Sequence, residues 1–173
     1  MADAEQIPTH IEFYPRTQAP GLGESHCVTI EPMTDIQQAG WDKAFAAGLS
    51  DGGKVEVLVN IPGFSLVRAW FKRNYPLPLH SHNADCLYHV VAGDLRMGER
   101  HVGPGDSFFV PADVPYTYRT GDRGVELLEF RHANHINFVN KAMSEAYWTR
   151  VLDTVGTNRE AWRAEAPPSE MAG

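Results

Sequence analysis

The sequence predicts a mainly β domain, an antiparallel sandwich or barrel with helices at both ends. The middle of the chain, residues 54–133, contains several short segments in which apolar and polar residues alternate and which are rich in Val and aromatic residues. Both features are typical of strands. Turn residues separate these segments about every 8–12 positions, the spacing of an all-β sandwich or barrel. On both sides of this region the apolar residues change to helix-like spacing.

The composition fits one globular domain and excludes some partners. The chain has 173 residues, of which 43% are hydrophobic and 21% charged, and its net charge is −7. This charge argues against nucleic acid or an anionic membrane as a partner, since both attract clustered Lys and Arg. No apolar run reaches the roughly 20 residues of a membrane span, and the first residues lack the pattern of a signal peptide. We therefore expect a cytoplasmic protein in which Cys86 is a free thiol.

The flanks of the barrel region divide the chain further. Residues 1–53 are expected to form an irregular arm (1–32) and then a helix over "IQQAGWDKAFAAGLS", which Thr34 and Asp35 would cap. The interior Gly40 weakens this helix prediction. The expected apolar stripe of the helix consists of Ile36, Trp41, Phe45 and Leu49.

Residues 134–166 are predicted to form helices, and residues 167–173 a disordered tail. A first helix would cover "NFVNKAMSEAYWTRVLDTV" and a second, shorter one "NREAWRAE". The apolar residues at helix-like intervals are Phe138, Met143, Tyr147, Trp148 and Leu152.

In the barrel region, residues 54–133, the predicted strands are separated by segments with the composition of turns, "VAGD", "GPGD", "PADVP" and "TGDRG". His80 and His82 stand within this region. Because side chains alternate along a strand, the two imidazoles should lie on one face and could share a metal ion. On spacing alone, such a pair is more often a polar lining of a barrel than a metal site.

Two segments around this pair resemble the motifs of the cupin superfamily. "PLHSHNADCLYHVVAGDL" is similar to the first motif, a His-x-His pair followed by an acidic residue and a strand that ends in Gly93. "GPGDSFFVPADVPYTYRT" is similar to the second. The resemblance covers roughly residues 55–131 and implies an antiparallel double-stranded β-helix, or jelly roll, with flanking N- and C-terminal helices. It also implies a small-molecule ligand and, commonly, a homodimer.

Two residues depart from the cupin pattern. Cys86 stands where the motif has Glu, and Tyr116 where the second motif has His. A thiolate is a good ligand for zinc, copper or iron, so Cys86 is a candidate third ligand; the alternative is a small buried residue that fills space. A Cys at this position also resembles the pattern of the cysteine dioxygenase branch of cupins. In that branch the Cys can be cross-linked to a Tyr near the iron.

Further candidates depend on which side chains face the interior. If Cys86 points inward, Tyr88 does too, whereas His89 points away. In the last strand, either His132 or Glu129 faces inward, and each could complete a site with the histidine pair. Tyr116 and Tyr88 are candidate catalytic groups because a phenol can donate a proton or hold a substrate oxygen; packing is the alternative role. His101 and His135 are expected at the surface, and nothing in the sequence argues for a site at His10 or His26 in the arm.

The resulting hypothesis is a cupin-type metalloenzyme. His80 and His82, with Cys86 or His132, would hold a divalent metal (Fe, Zn, Cu, Mn or Ni) that acts on a small organic substrate. The resemblance leaves open whether the reaction is that of an oxygenase, isomerase, lyase or cyclase. The alternative is a metal-free cupin, either a binding or sensing module or an acid–base enzyme that uses Tyr and His.

Overall fold

The computed structural model describes residues 7–170 and has two α-helices and nine strands in that range. The helices are α1 (Asp35–Ala47) and α2 (Glu145–Ala164). The strands are β1 (Val28–Ile30), β2 (Gly53–Ile61), β3 (Phe64–Phe71), β4 (His80–Ser81), β5 (Cys86–Met97), β6 (Arg100–Val102), β7 (Ser107–Val110), β8 (Arg119–Arg131) and β9 (Ile136–Asn140). The prediction of a mainly β fold with a helix near each end is confirmed. No helix among these residues is both long and apolar enough to cross a membrane.

The strands form two sheets. The larger has the order β2-β3-β8-β5-β6, with β7 also paired to β5, and is antiparallel throughout. The smaller has the order β1-β9-β4, in which β1 and β9 are parallel and β9 and β4 antiparallel. The backbones of His80 and Tyr116 exchange two hydrogen bonds, from His80 N to Tyr116 O (3.1 Å) and from Tyr116 N to His80 O (2.9 Å). This bridge fixes the first histidine beside a residue of the second motif.

Two predicted turns are bulges inside long strands. "VAGD" lies within β5 and "TGDRG" within β8. Gly93 (φ 69°) and Gly124 (φ 72°) adopt left-handed backbone conformations there, which glycine tolerates best. A Cβ on Gly93 would lie 2.1 Å from the Gly124 carbonyl oxygen. The glycines therefore let two adjacent strands bend and approach each other without ending them.

Helix α1 begins where the sequence predicts but buries a different face. Thr34 is the N-cap and forms a capping box with Gln37. Ile36 and Phe45, two members of the expected stripe, are each 42% exposed, whereas Gly40 and the side chains near it are buried. The reason is the indole of Trp148, which packs so closely that a Cβ on Gly40 would lie 2.2 Å from it.

The C-terminal region differs from the prediction in three ways. Phe138 lies in strand β9, because residues 136–140 pair with β1 and β4. A single helix, α2, replaces the two predicted helices. Pro168–Glu170 form an ordered 3₁₀ turn, in which the backbone N of Ser169 donates to Glu126 (2.7 Å). The expected disorder is thus wrong for residues 168–170, and 171–173 lie outside the described residues.

The N-terminal arm is also more ordered than the sequence suggests. Arg16–Gln18 form a 3₁₀ turn, and Val28–Ile30 form β1. Strand β1 pairs with β9, a partner more than 100 residues away, so a local sequence pattern gives no signal for it. Residues 1–6 of the predicted arm lie outside the described residues.

Candidate functional site

His80 and His82 lie together, and both rings are oriented by the backbone. Their ring centroids are 5.0 Å apart. Nδ1 of His80 is 2.8 Å from the Pro78 carbonyl oxygen, and Nδ1 of His82 is 2.5 Å from that of Asn137. A carbonyl oxygen can only accept, so each Nδ1 carries the proton and each Nε2 keeps a free lone pair. Metal-binding histidines are commonly held in this way.

Burial keeps the two imidazoles neutral. His80 is only 4% exposed. Desolvation lowers the pKa of His80, and that of His82, from 6.5 to about 4. The bonds to Pro78 and Asn137 oppose this shift, and the positive charge of Arg131 adds to it. At neutral pH, both Nε2 atoms are therefore unprotonated.

A buried tyrosine, Tyr116, borders the histidine pair and contacts a second one, Tyr88. The Tyr116 ring lies 4.4 Å from that of His80, and its hydroxyl is hydrogen-bonded to the Tyr88 hydroxyl. Burial raises the pKa of both phenols well above the usual value of 10, so both stay protonated. The Tyr88 side chain also forms a hydrogen bond with Cys86. Of the two predicted catalytic tyrosines, Tyr116 thus lies beside the pair and lines the cavity, whereas Tyr88 contacts Tyr116 and is not among the lining residues.

Cys86 faces inward, as the alternation of β5 predicts, but packs in the core. It is 2% exposed and belongs to the apolar cluster of the barrel. Desolvation raises the pKa of its thiol to about 12, which keeps the sulfur protonated. Its Sγ lies 3.9 Å from the carbonyl oxygen of Leu87. These contacts are those of a small residue that fills space.

His132 lies away from the pair. Its side chain is exposed, and its ring packs 5.2 Å from that of Phe64. In β8 the residues that face the interior are Leu127, Glu129 and Arg131, which puts His132 beyond the strand on the solvent side. The alternative that the sequence left open, Glu129 inward, is the one observed. The other five histidines among the described residues, His10, His26, His89, His101 and His135, are exposed.

Sequence reasoning missed two residues beside the pair. Arg131 is 4% exposed, and its Nη2 donates to the Glu129 carboxylate. Phe138 stacks on His80, with ring centroids 5.1 Å apart and planes at 21°. Alternation puts Leu127, Glu129 and Arg131 on one face of the strand, but it does not say that this face is the inner one, and charged residues in a strand usually face solvent.

A cavity of about 470 Å³ opens beside these groups, and its walls are mainly apolar. His80, His82, Tyr116, Glu129 and Arg131 all contribute to its lining. Tyr118, predicted to share the face of Tyr116, lines it too. The arm and the helices contribute apolar residues, among them Leu22, Trp41, Phe45, Tyr147, Trp148 and Val151. The site is therefore a polar patch within an apolar chamber, which is typical of small-molecule sites.

The donor set fits a metal only in part. The two Nε2 lone pairs are suitable ligands for a divalent transition metal. Between residues 7 and 170, however, no group of three or more His, Cys, Asp or Glu side chains is arranged to hold a metal ion. A metal here would thus have two protein ligands, with the remaining positions left for water or substrate.

No protein-family model matches the sequence, and no curated protein shows significant similarity to it. Among solved structures, the barrel is similar to an RmlC-like cupin from Shewanella frigidimarina (25% identity, TM-score 0.42, 47% of this chain and 76% of that one). It is also similar to KdgF from a Halomonas species (22%, 0.42, 47% and 79%). A third is a Ralstonia eutropha protein with a cupin-like fold (17%, 0.45, 63% and 76%).

The barrel region is thus similar to parts of cupin structures, the superfamily whose motifs the sequence resembles. The histidine pair lies in the segment that resembles the first motif. Cys86 and Tyr116 are the two residues that depart from the cupin pattern.

Proposed function

We propose that this cupin-like protein is an enzyme that acts on a small organic molecule, with a divalent metal bound by His80 and His82. The observation that carries the proposal is the pair of fixed imidazoles. Both Nδ1 atoms are bound to backbone carbonyls, and both rings line the polar part of one cavity. When bound, the metal would supply Lewis-acid chemistry or activate O₂.

The remaining polar groups suit substrate positioning. The phenol of Tyr116 lines the cavity beside His80, where it can hold a substrate oxygen. The apolar walls exclude water and hold the body of the molecule. The reaction class, among those of an oxygenase, isomerase, lyase or cyclase, is left open, and the expected homodimer stays a prediction.

A metal-free function is the second candidate, favoured by the missing third ligand in the described part of the chain. The tyrosines would then donate protons, or the cavity would only bind a ligand. Against an imidazole base, a pKa of about 4 makes His80 and His82 weak proton acceptors at neutral pH. The same low value favours metal binding, because few protons compete for Nε2.

Elemental analysis separates the two candidates. Protein purified without chelators and reconstituted with Fe, Zn, Cu, Mn or Ni should hold close to one metal per chain. The His80→Ala/His82→Ala variant should lose it, whereas His89→Ala/His101→Ala, which removes two exposed histidines, should keep it. Circular dichroism checks that each variant folds. Absence of metal from the wild type after reconstitution would reject the metalloenzyme and leave the metal-free candidate.

A further inference from the structure

The guanidinium of Arg131 has unused hydrogen-bonding capacity inside the cavity. An arginine has five N–H donors. In the described range, Glu129 is the only acceptor for this guanidinium, through Nη2. Nε is buried and has no hydrogen-bond partner, a state found for no other arginine nitrogen in residues 7–170.

Such a state is costly unless something else provides an acceptor. A buried charged donor without an acceptor has given up its hydrogen bonds to water and gained nothing in return. Arg68, the other buried arginine, shows the usual solution, because its Nη1 and Nη2 bind two different carboxylates, those of Glu56 and Glu126. Arg68 lies on the opposite face of the sheet, since β3 turns Val67 and Ala69 inward.

We propose that Arg131 binds the carboxylate of a small monoanionic ligand whose apolar body fills the cavity. Arg131 itself lines the cavity, together with the two histidines. Planar carboxylates match the guanidinium fork. The walls of the chamber are mainly apolar, so the rest of the ligand is an aromatic or aliphatic group.

Charge favours a carboxylate over a phosphate. The Glu129 carboxylate already neutralises much of the Arg131 charge. A phosphate dianion would bring two negative charges beside that carboxylate, with one guanidinium to offset three charges. A monoanionic carboxylate leaves only one excess negative charge, whereas a phosphate dianion leaves two.

That this ligand is the substrate rests on the proposed function. Its binding to Arg131 does not need the metal. Calorimetric titrations in EDTA should therefore compare benzoate, phenylacetate and hexanoate with their uncharged amides and with phenyl phosphate. Each acid that fits should bind at least about tenfold more tightly than its amide and than phenyl phosphate, since a hydrogen bond to a charged group contributes about 1.5–3 kcal/mol.

Variants locate the binding. The Arg131→Gln/Glu129→Gln double variant removes both charges without leaving one buried and unpaired, and should bind the acids at least about tenfold more weakly. The matched Arg68→Gln/Glu126→Gln variant removes a buried ion pair outside the cavity and should bind them as the wild type does.

Three results would overturn the inference: no acid preferred over its amide, preference for phenyl phosphate, or unchanged binding by the double variant. The elemental analysis of reconstituted protein tests the metal separately. If it finds no metal but the acids bind selectively, only the metalloenzyme is rejected. If it finds metal but no acid selectivity is seen, only the inference is rejected.

Discussion

Acidification from about pH 7 to about pH 4.5 should destabilise the protein partly through His80. Burial lowers the folded-state pKa of this imidazole to about 4, against 6.5 for an ordinary histidine. Because the unfolded chain binds the proton first, the stabilisation is fully present above about pH 6.5 and is lost as the pH falls toward 4. One pKa unit corresponds to about 1.36 kcal/mol, so this histidine alone should account for about 2 kcal/mol over that pH range.

The assay is urea unfolding of wild type and His80→Asn at both pH values. Asn keeps a donor that can reach the Pro78 carbonyl but removes the titrating ring. The loss of unfolding free energy on acidification should be about 2 kcal/mol smaller in the variant. His89→Asn, on the exposed face of β5, should follow the wild type. Equal losses in His80→Asn and wild type would refute a buried, neutral His80.

Two further predictions test packing and the tyrosine pair. Gly40→Ala should lower the free energy of unfolding by about 1–3 kcal/mol, because its Cβ would overlap Trp148. Gly156→Ala, with no atom within 4 Å of the new Cβ, should raise the free energy of unfolding by about 0.5–1 kcal/mol. Thermal melting of both variants measures these changes, and equal effects would contradict the packing argument. Tyr116→Phe should cost about 1–2 kcal/mol in urea unfolding, since the buried Tyr88 hydroxyl loses its partner; unchanged stability would argue against that bond.

Several features of the fold could be predicted because they depend on neighbours in the sequence. The two-residue period of β5 fixes which side chains enter the core, and Cys86, Tyr88 and Val90 are buried as expected. Thr34 caps α1 because its hydroxyl can reach the first-turn backbone. Both features follow from local geometry alone.

Other features depend on partners that are distant in sequence. From the sequence, Gly93 resembles a turn residue; in the fold it lies at a bulge, where β5 closely approaches Gly124 of the adjacent strand β8. Gly40 weakens a helix in isolation, yet in the folded chain it leaves room for Trp148. Sequence patterns describe the preferences of the backbone, whereas these glycines serve close contacts between elements.

The candidate site also has a part that could be predicted from the sequence and a part that could not. The His-x-His spacing identified His80 and His82, because alternation alone puts them on one face. The inward direction of Glu129 and Arg131 could not be chosen from sequence, since it depends on the register of β8 between two other strands. The unused N–H of Arg131 appears only when every possible acceptor around it is known.

The walls of the cavity have a consequence for how this protein could be altered. The groups suited to chemistry belong to the barrel strands and their connections, while Leu22, Trp41 and Val151 enter from the arm and the two helices. Reactivity and ligand shape are therefore encoded in different stretches of the chain. Exchanging bulky and small residues on the helices should change which molecules fit while the imidazoles and the guanidinium stay in place, so the flanks are the natural target for redesigning selectivity.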